Sequence, residues 1–131
     1  MHMAWMRYTG GRLESRYQYS SQIVYNNFPW PDSPSVKQIA AIKESAQAVL
    51  DARLQFPDSS LADLYDPDAM PQELMKAHQG LDRAVDASYG RKSFTSDAER
   101  VAFLFELYQR YTSLLPSQSK AGKSRQRKKR P

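Results

Sequence analysis

The sequence predicts a mainly α fold: a small helical bundle of three long helices and one short one, preceded by a short strand or extended segment. Two observations carry this reading. From Ser33 onward, apolar residues recur at spacings of three, four and seven between Ser, Pro and Gly punctuation, which is the helical period. Before that, Arg16 to Phe28 alternates and is rich in Tyr, Ile and Val, which favours pleated structure.

Met1 to Leu13 mixes apolar residues with Arg7 and Arg12. A helix ending near Gly10-Gly11 fits, because tandem glycine favours a helix stop, with a loop as the alternative. In the alternating stretch Tyr17, Tyr19, Ile23 and Tyr25 share a parity. They are expected, with Phe28 and Trp30, to form an aromatic face packed beneath the strand rather than a base-stacking platform. Asn26-Asn27 supplies turn chemistry, and Pro29 and Pro31 end the ladder.

The first long helix is expected from about Pro34 to Leu54, with Ser33 as N-cap and a stripe of Ile39, Ile42, Ala46, Val49, Leu50 and Arg53. A short helix follows at Leu61–Tyr65, capped by Ser59 or Ser60 and stopped by Asp66-Pro67. The next runs from Pro71 to about Tyr89 with a stripe of Leu74, His78, Leu81, Val85 and Tyr89, and Gly90 as a left-handed stop. The last starts at a capping box, Ser96-Asp97-Ala98-Glu99. Its expected stripe is Val101, Ala102, Phe105, Tyr108 and Leu115, flanked by Leu104 and Tyr111. None of these helices buries its apolar face alone, so a bundle is the simplest packing. Residues 117–131 carry no large apolar side chain and are expected to be a disordered basic tail. The resulting division is 1–31, 32–116 and 117–131.

Composition narrows the chemistry. With no cysteine there is no disulfide framework, thiolate metal site or cysteine nucleophile. The two histidines, His2 and His78, lie far apart, which disfavours a histidine metal site. No apolar run spans a bilayer, no signal peptide is recognisable, and the expected location is the cytoplasm. The net charge of +5 conceals a pattern. The tail 117–131 holds seven basic residues; the other twelve face fourteen acidic ones. Residues 1–31 are basic and 32–116 acidic, so the helical part is no general phosphate-binding surface. The tail suits phosphate contact or simple solubilisation equally. Asp82 and Asp86, four apart on one helix, read as solvated charge rather than a metal site, and His78 reads as a packed or capped histidine.

Several segments together, in order, resemble the C-terminal part of the MmeI-like proteins, the type IIL restriction–modification enzymes. They are HMAWMR (2–7), GRLESRYQYS (11–20), IVYNNFPWP (23–31), AQAVLDAR (46–53), SLADLYDP (60–67), LDRAVDASYG (81–90) and SDAERVAFLFELY (96–108). The resemblance implies a parent with an endonuclease, a helical spacer, an adenine-N6 DNA methyltransferase, a target-recognition domain and a C-terminal helical domain. Residues 1–31 would be the end of the recognition region and 32–116 the helical domain. Neither an Asn-Pro-Pro-Tyr motif with its cofactor glycines nor a nuclease carboxylate–lysine cluster occurs in this sequence. The expected catalytic, cofactor and metal residues are therefore none. S-adenosylmethionine and Mg2+ would belong to other parts of the parent.

Glu14 and Arg16 are the sharpest candidates: two positions apart in a strand, they are expected to project to the same side. A carboxylate can accept from cytosine N4, and a guanidinium can donate to guanine O6 and N7, so together they can read one C·G pair. Read from spacing alone, a surface ion pair is the plainer account. The resemblance implies the reading role: members carry Glu/Arg or Lys/Asp at these positions with opposite base preference, and this chain is similar to the Glu/Arg, cytosine-reading type. Gln18, two further on, departs from the Arg common in the family and can contact adenine. Arg7 and Arg12 are expected phosphate contacts, with solvated charge as the alternative. The expected partners are duplex DNA through the parent, the parent's methyltransferase and recognition domains, and a second copy of the chain through apolar surface at Met1–Leu13. The alternative function is a helical protein–protein interaction module packing on other domains or subunits.

Overall fold

The computed structural model describes residues 1–13, 16–91 and 93–113. The expected disordered tail lies outside them. Helix α1 spans His2–Thr9, strands β1 and β2 span Gly11–Leu13 and Arg16–Gln18, and a π-helical turn covers Ser21–Tyr25. Four helices follow: α2 (Val36–Leu54), α3 (Leu61–Leu64), α4 (Gln72–Ser88) and α5 (Asp97–Ser113). The fold is mainly α, with three long helices and a short one behind a two-stranded antiparallel ribbon. No described helix is long and apolar enough to cross a membrane.

Two clusters form the core. In one, Val49 and Ala52 of α2 meet Leu64 of α3 and Leu74 of α4, with Phe56, Met70 and Leu81 around them. In the other, Trp5 and Met6 of α1, Val24 of the π turn and Phe28 close on Leu104 of α5. The N-terminal segment thus completes its core on the helical part. Trp5 is 2% exposed, lies 5.0 Å from the ring of Phe105 and 5.8 Å from that of Tyr108, and donates its indole N–H to the Val24 carbonyl at 3.2 Å. A buried indole finds such a partner because an orphaned N–H is costly.

The caps are largely local and follow the sequence. Ser60 and Asp63 form a reciprocal capping box on α3. On α5 Ser96 Oγ accepts from Glu99 N–H at 3.2 Å, while the Glu99 carboxylate reaches one residue further back, to Thr95 N–H and hydroxyl at 2.8 Å. Those two hydrogen bonds hold the Glu99 carboxyl below its usual range. Gly90 has φ +78, the left-handed conformation expected after α4.

Several expectations are corrected. The strand expected over Arg16–Phe28 ends at Gln18. Ser20 caps a π turn instead, and Asn27 donates its side-chain amide to the carbonyls of Gln22 and Ile23. That turn buries Val24 completely and leaves Ile23 and Tyr25 outward. The aromatic face is consequently not core: of Tyr17, Tyr19, Tyr25, Phe28 and Trp30, only Phe28 is buried. The cap of α2 is Ser35, in a reciprocal box with Gln38, because the chain turns through a left-handed Ser33 (φ 50) before Pro34. On α2 Ile39 and Leu50 are exposed, and the side facing α4 carries Val49 and Ala52. On α5 the buried line is Val101, Leu104 and Leu107, with Ala102 exposed and Phe105 half out; Leu115 lies outside the described residues. Of Met1–Leu13, the expected free apolar surface shrinks to Met3, Tyr8 and Leu13, since Ala4, Trp5 and Met6 are buried within the chain.

The connection from the π turn to α2 is pinned twice. Tyr89 donates its hydroxyl to the Pro29 carbonyl at 3.0 Å and Tyr111 to the Trp30 carbonyl at 2.8 Å. Burial first, then Tyr111 and Asp86, push the Tyr89 phenol well above its ordinary value. Burial first, then Asp32, pushes Tyr111 the same way.

Two predictions follow from these packings. Leu104→Ala should cost about 2–5 kcal/mol in urea unfolding, whereas Ala102→Gln should stay within about 0.5 kcal/mol; equal losses would place the core face wrongly. Because the folded Tyr89 pKa is raised, its contribution to stability is full below the unfolded value of about 10 and is lost as pH rises from there through the folded value. Alkaline unfolding curves of Tyr89→Phe should therefore lose part of that slope; an unchanged slope would contradict the assignment.

Candidate nucleic-acid interface

The ribbon is rooted at Gly10, which ends α1. Its N–H donates to the Met6 carbonyl at 2.8 Å. A Cβ at Gly10 would lie 2.7 Å from the Met6 oxygen and 3.1 Å from the Gln18 oxygen, so only glycine fits where helix and ribbon meet.

The register pairs Gly11 with Gln18, Arg12 with Tyr17 and Leu13 with Arg16. Side chains alternate, so Arg16 and Gln18 share one face with Gly11 and Leu13, and Arg12 and Tyr17 share the other. All six are exposed. On the second face Arg12 lies over the Tyr17 ring at 4.5 Å and donates to its hydroxyl at 2.8 Å. Arg16 and Gln18 stand side by side on a face whose cross-strand neighbours include a glycine, and that leaves them room. The structure brings these two expected readers together. Glu14 lies outside the described residues.

Arg7 is held away from the ribbon. It pairs with Asp97 at 2.9 Å. Asp97 also meets Arg100 at 3.3 Å, and Arg100 donates twice to Asp86, at 2.8 and 3.3 Å. Asp86 is 3% exposed, which corrects its reading as solvated charge. Hydrogen bonding to that carboxylate raises the Arg100 guanidinium above its ordinary value. Sequence reasoning missed this chain of charges. His78 is part-buried, and its Nε2 lies 2.7 Å from the Tyr65 hydroxyl, which also accepts from Arg53 at 3.0 Å.

Among the described residues no group of three His, Asp or Glu side chains gathers to hold a metal ion. Gly10-Gly11 leads from a helix into a strand, the reverse of the strand–glycine–helix order that cradles a nucleotide. These residues do not fit S-adenosylmethionine.

The family model described as "MmeI, target recognition domain" matches residues 1–32, and "MmeI, C-terminal domain" matches 34–116. This chain belongs to the MmeI family. It carries the target-recognition end and the C-terminal domain of an MmeI-like protein. It is 42% identical over 112 residues to DNA methyltransferase A of Bacillus subtilis (strain 168), covering 86% of this chain and 12% of that protein. It also resembles the type IIL restriction–modification enzyme MmeI solved in complex with DNA, at 58% identity and a TM-score of 0.82 over 86% of this chain and 15% of that one. The chain thus spans under a sixth of the length of either relative.

The buried and exposed parts of the charge chain should separate on mutation. Asp86→Asn should cost about 3–5 kcal/mol, since it leaves a guanidinium without its buried partner. Asp97→Asn, half exposed, should cost under about 1 kcal/mol. Thermal melts of the two variants check this; comparable losses would mean that Asp86 is not the buried anchor.

Proposed function

We propose that this chain reads part of a DNA target for a larger site-specific adenine-N6 methyltransferase with an endonuclease, and contributes no catalytic group itself. The observation that carries the reading is the exposed β1–β2 ribbon, with Arg16 and Gln18 on one face, inside the stretch that matches a target-recognition domain. A two-stranded ribbon fits the major groove of B-DNA, where guanine offers O6 and N7 to an arginine and adenine offers N6 and N7 to a glutamine. Glu14 joins them as the acceptor for cytosine N4. Arg12, on the opposite face, makes a phosphate contact that positions without specifying.

In this reading residues 1–31 are the reading end and 32–116 the support that holds it. The acidic helical part packs against the parent's methyltransferase and recognition domains rather than against DNA. S-adenosylmethionine and Mg2+ are held elsewhere in the parent, which works in the cytoplasm. Support comes from the DNA methyltransferase relative and from the DNA complex of MmeI.

The test uses the full-length enzyme that carries this segment. Glu14→Lys combined with Arg16→Asp should change the methylated target at one base pair, as mapped by sequencing methylated DNA. Arg16→Ala alone should relax discrimination there by about 1–3 kcal/mol, roughly 5- to 150-fold. An unchanged target after the double exchange would refute the base-reading role.

A further inference from the structure

We infer that Arg7 is a positioning residue for the ribbon rather than a phosphate contact: its pair with Asp97 sets how α1, and with it the ribbon, seats on α5. This rests on the reading of the ribbon as the DNA-facing element. Arg7 lies in the last turn of α1 and Asp97 in the first turn of α5. Each charge therefore complements the dipole of its own helix end. Both oxygens of Asp97 are taken, Oδ2 by Arg7 at 2.9 Å and Oδ1 by Arg100 at 3.3 Å. Arg100 is in turn held by the buried Asp86 through two hydrogen bonds. The carboxylate offered to Arg7 is thus oriented from inside the helical part.

The other end of α1 transmits that orientation. Gly10 closes the helix against Met6 and packs against the Gln18 carbonyl without room for a side chain. A rotation of α1 on α5 is therefore carried into β2, where Arg16 and Gln18 sit. Trp5 fixes the depth of α1 by its packing on Phe105 and Tyr108. Arg7–Asp97 is the polar contact that fixes its rotation.

The test compares the 131-residue chain with its Arg7→Gln, Asp97→Asn, doubly substituted and Arg7→Lys variants. Amide hydrogen exchange is followed across residues 10–18, with core amides of α4 and α5 as the control. Binding to duplex DNA is followed across a salt series. Arg7→Gln and Asp97→Asn should each speed ribbon exchange about two- to threefold, the size expected of an exposed pair. The double variant should add nothing, Arg7→Lys should return most of the protection, and control amides should not move. The salt slope should match the unmodified chain in all four. A slope reduced by about one in Arg7→Gln and in the double variant, but not in Asp97→Asn, is the signature of a lost phosphate contact and would overturn the proposal, as would additive effects on exchange. Failure of the base-reading role shows separately, as an Arg16→Ala parent enzyme that keeps its target preference.

Discussion

The burial of Trp5 is the contact on which the rest of this structure depends. The N-terminal segment is too short to bury a core of its own. Its large buried side chains, Trp5, Met6, Val24 and Phe28, form one cluster, and that cluster closes on Leu104 of α5. Trp5 touches both sides of it. Its ring packs on Phe105 and Tyr108, and its N–H holds the π turn through the Val24 carbonyl. The ribbon gains nothing comparable from its own residues, all of which are exposed. Its position is inherited from α1, and the position of α1 is inherited from α5.

This arrangement divides the labour between the two ends of the fold. The cluster of α2, α3 and α4 is separate from the Trp5 cluster, and the ion pair between Asp86 of α4 and Arg100 of α5 ties the two long helices together. Tyr89 and Tyr111 then fasten the Pro29–Trp30 connection to the same helices. For the proposed reading role the ribbon has to be exposed, yet must not wander, because a bidentate contact to a base edge tolerates little displacement. Seating an exposed ribbon on a braced helix meets both demands.

The sequence made the helical part legible because its signals are local. Ser60 with Asp63 and Ser96 before Glu99 announce helix starts within four residues, and Gly90 announces a stop. Where a local signal had a competitor it misled: Ser33-Pro34 looked like a cap and first turn, but Ser35 with Gln38 makes the reciprocal bonds. The alternation through Tyr17, Tyr19, Ile23 and Tyr25 is real in the sequence, yet the chain obeys the demand to bury Val24 beneath Trp5, nineteen residues away. The reading role proposed for Arg16 and Gln18 comes from the family resemblance; the structure adds their shared, exposed ribbon face. Asp86 was not, because its partner Arg100 is fourteen residues off and on another helix.

A structure of the full-length enzyme on its target duplex would test this seating of the ribbon most directly. The β1–β2 ribbon should lie in the major groove, with Arg16 and Gln18 within hydrogen-bond distance of base edges and Trp5 still buried on α5. A ribbon facing solvent, or packed against another domain with no base within reach of Arg16, would contradict it.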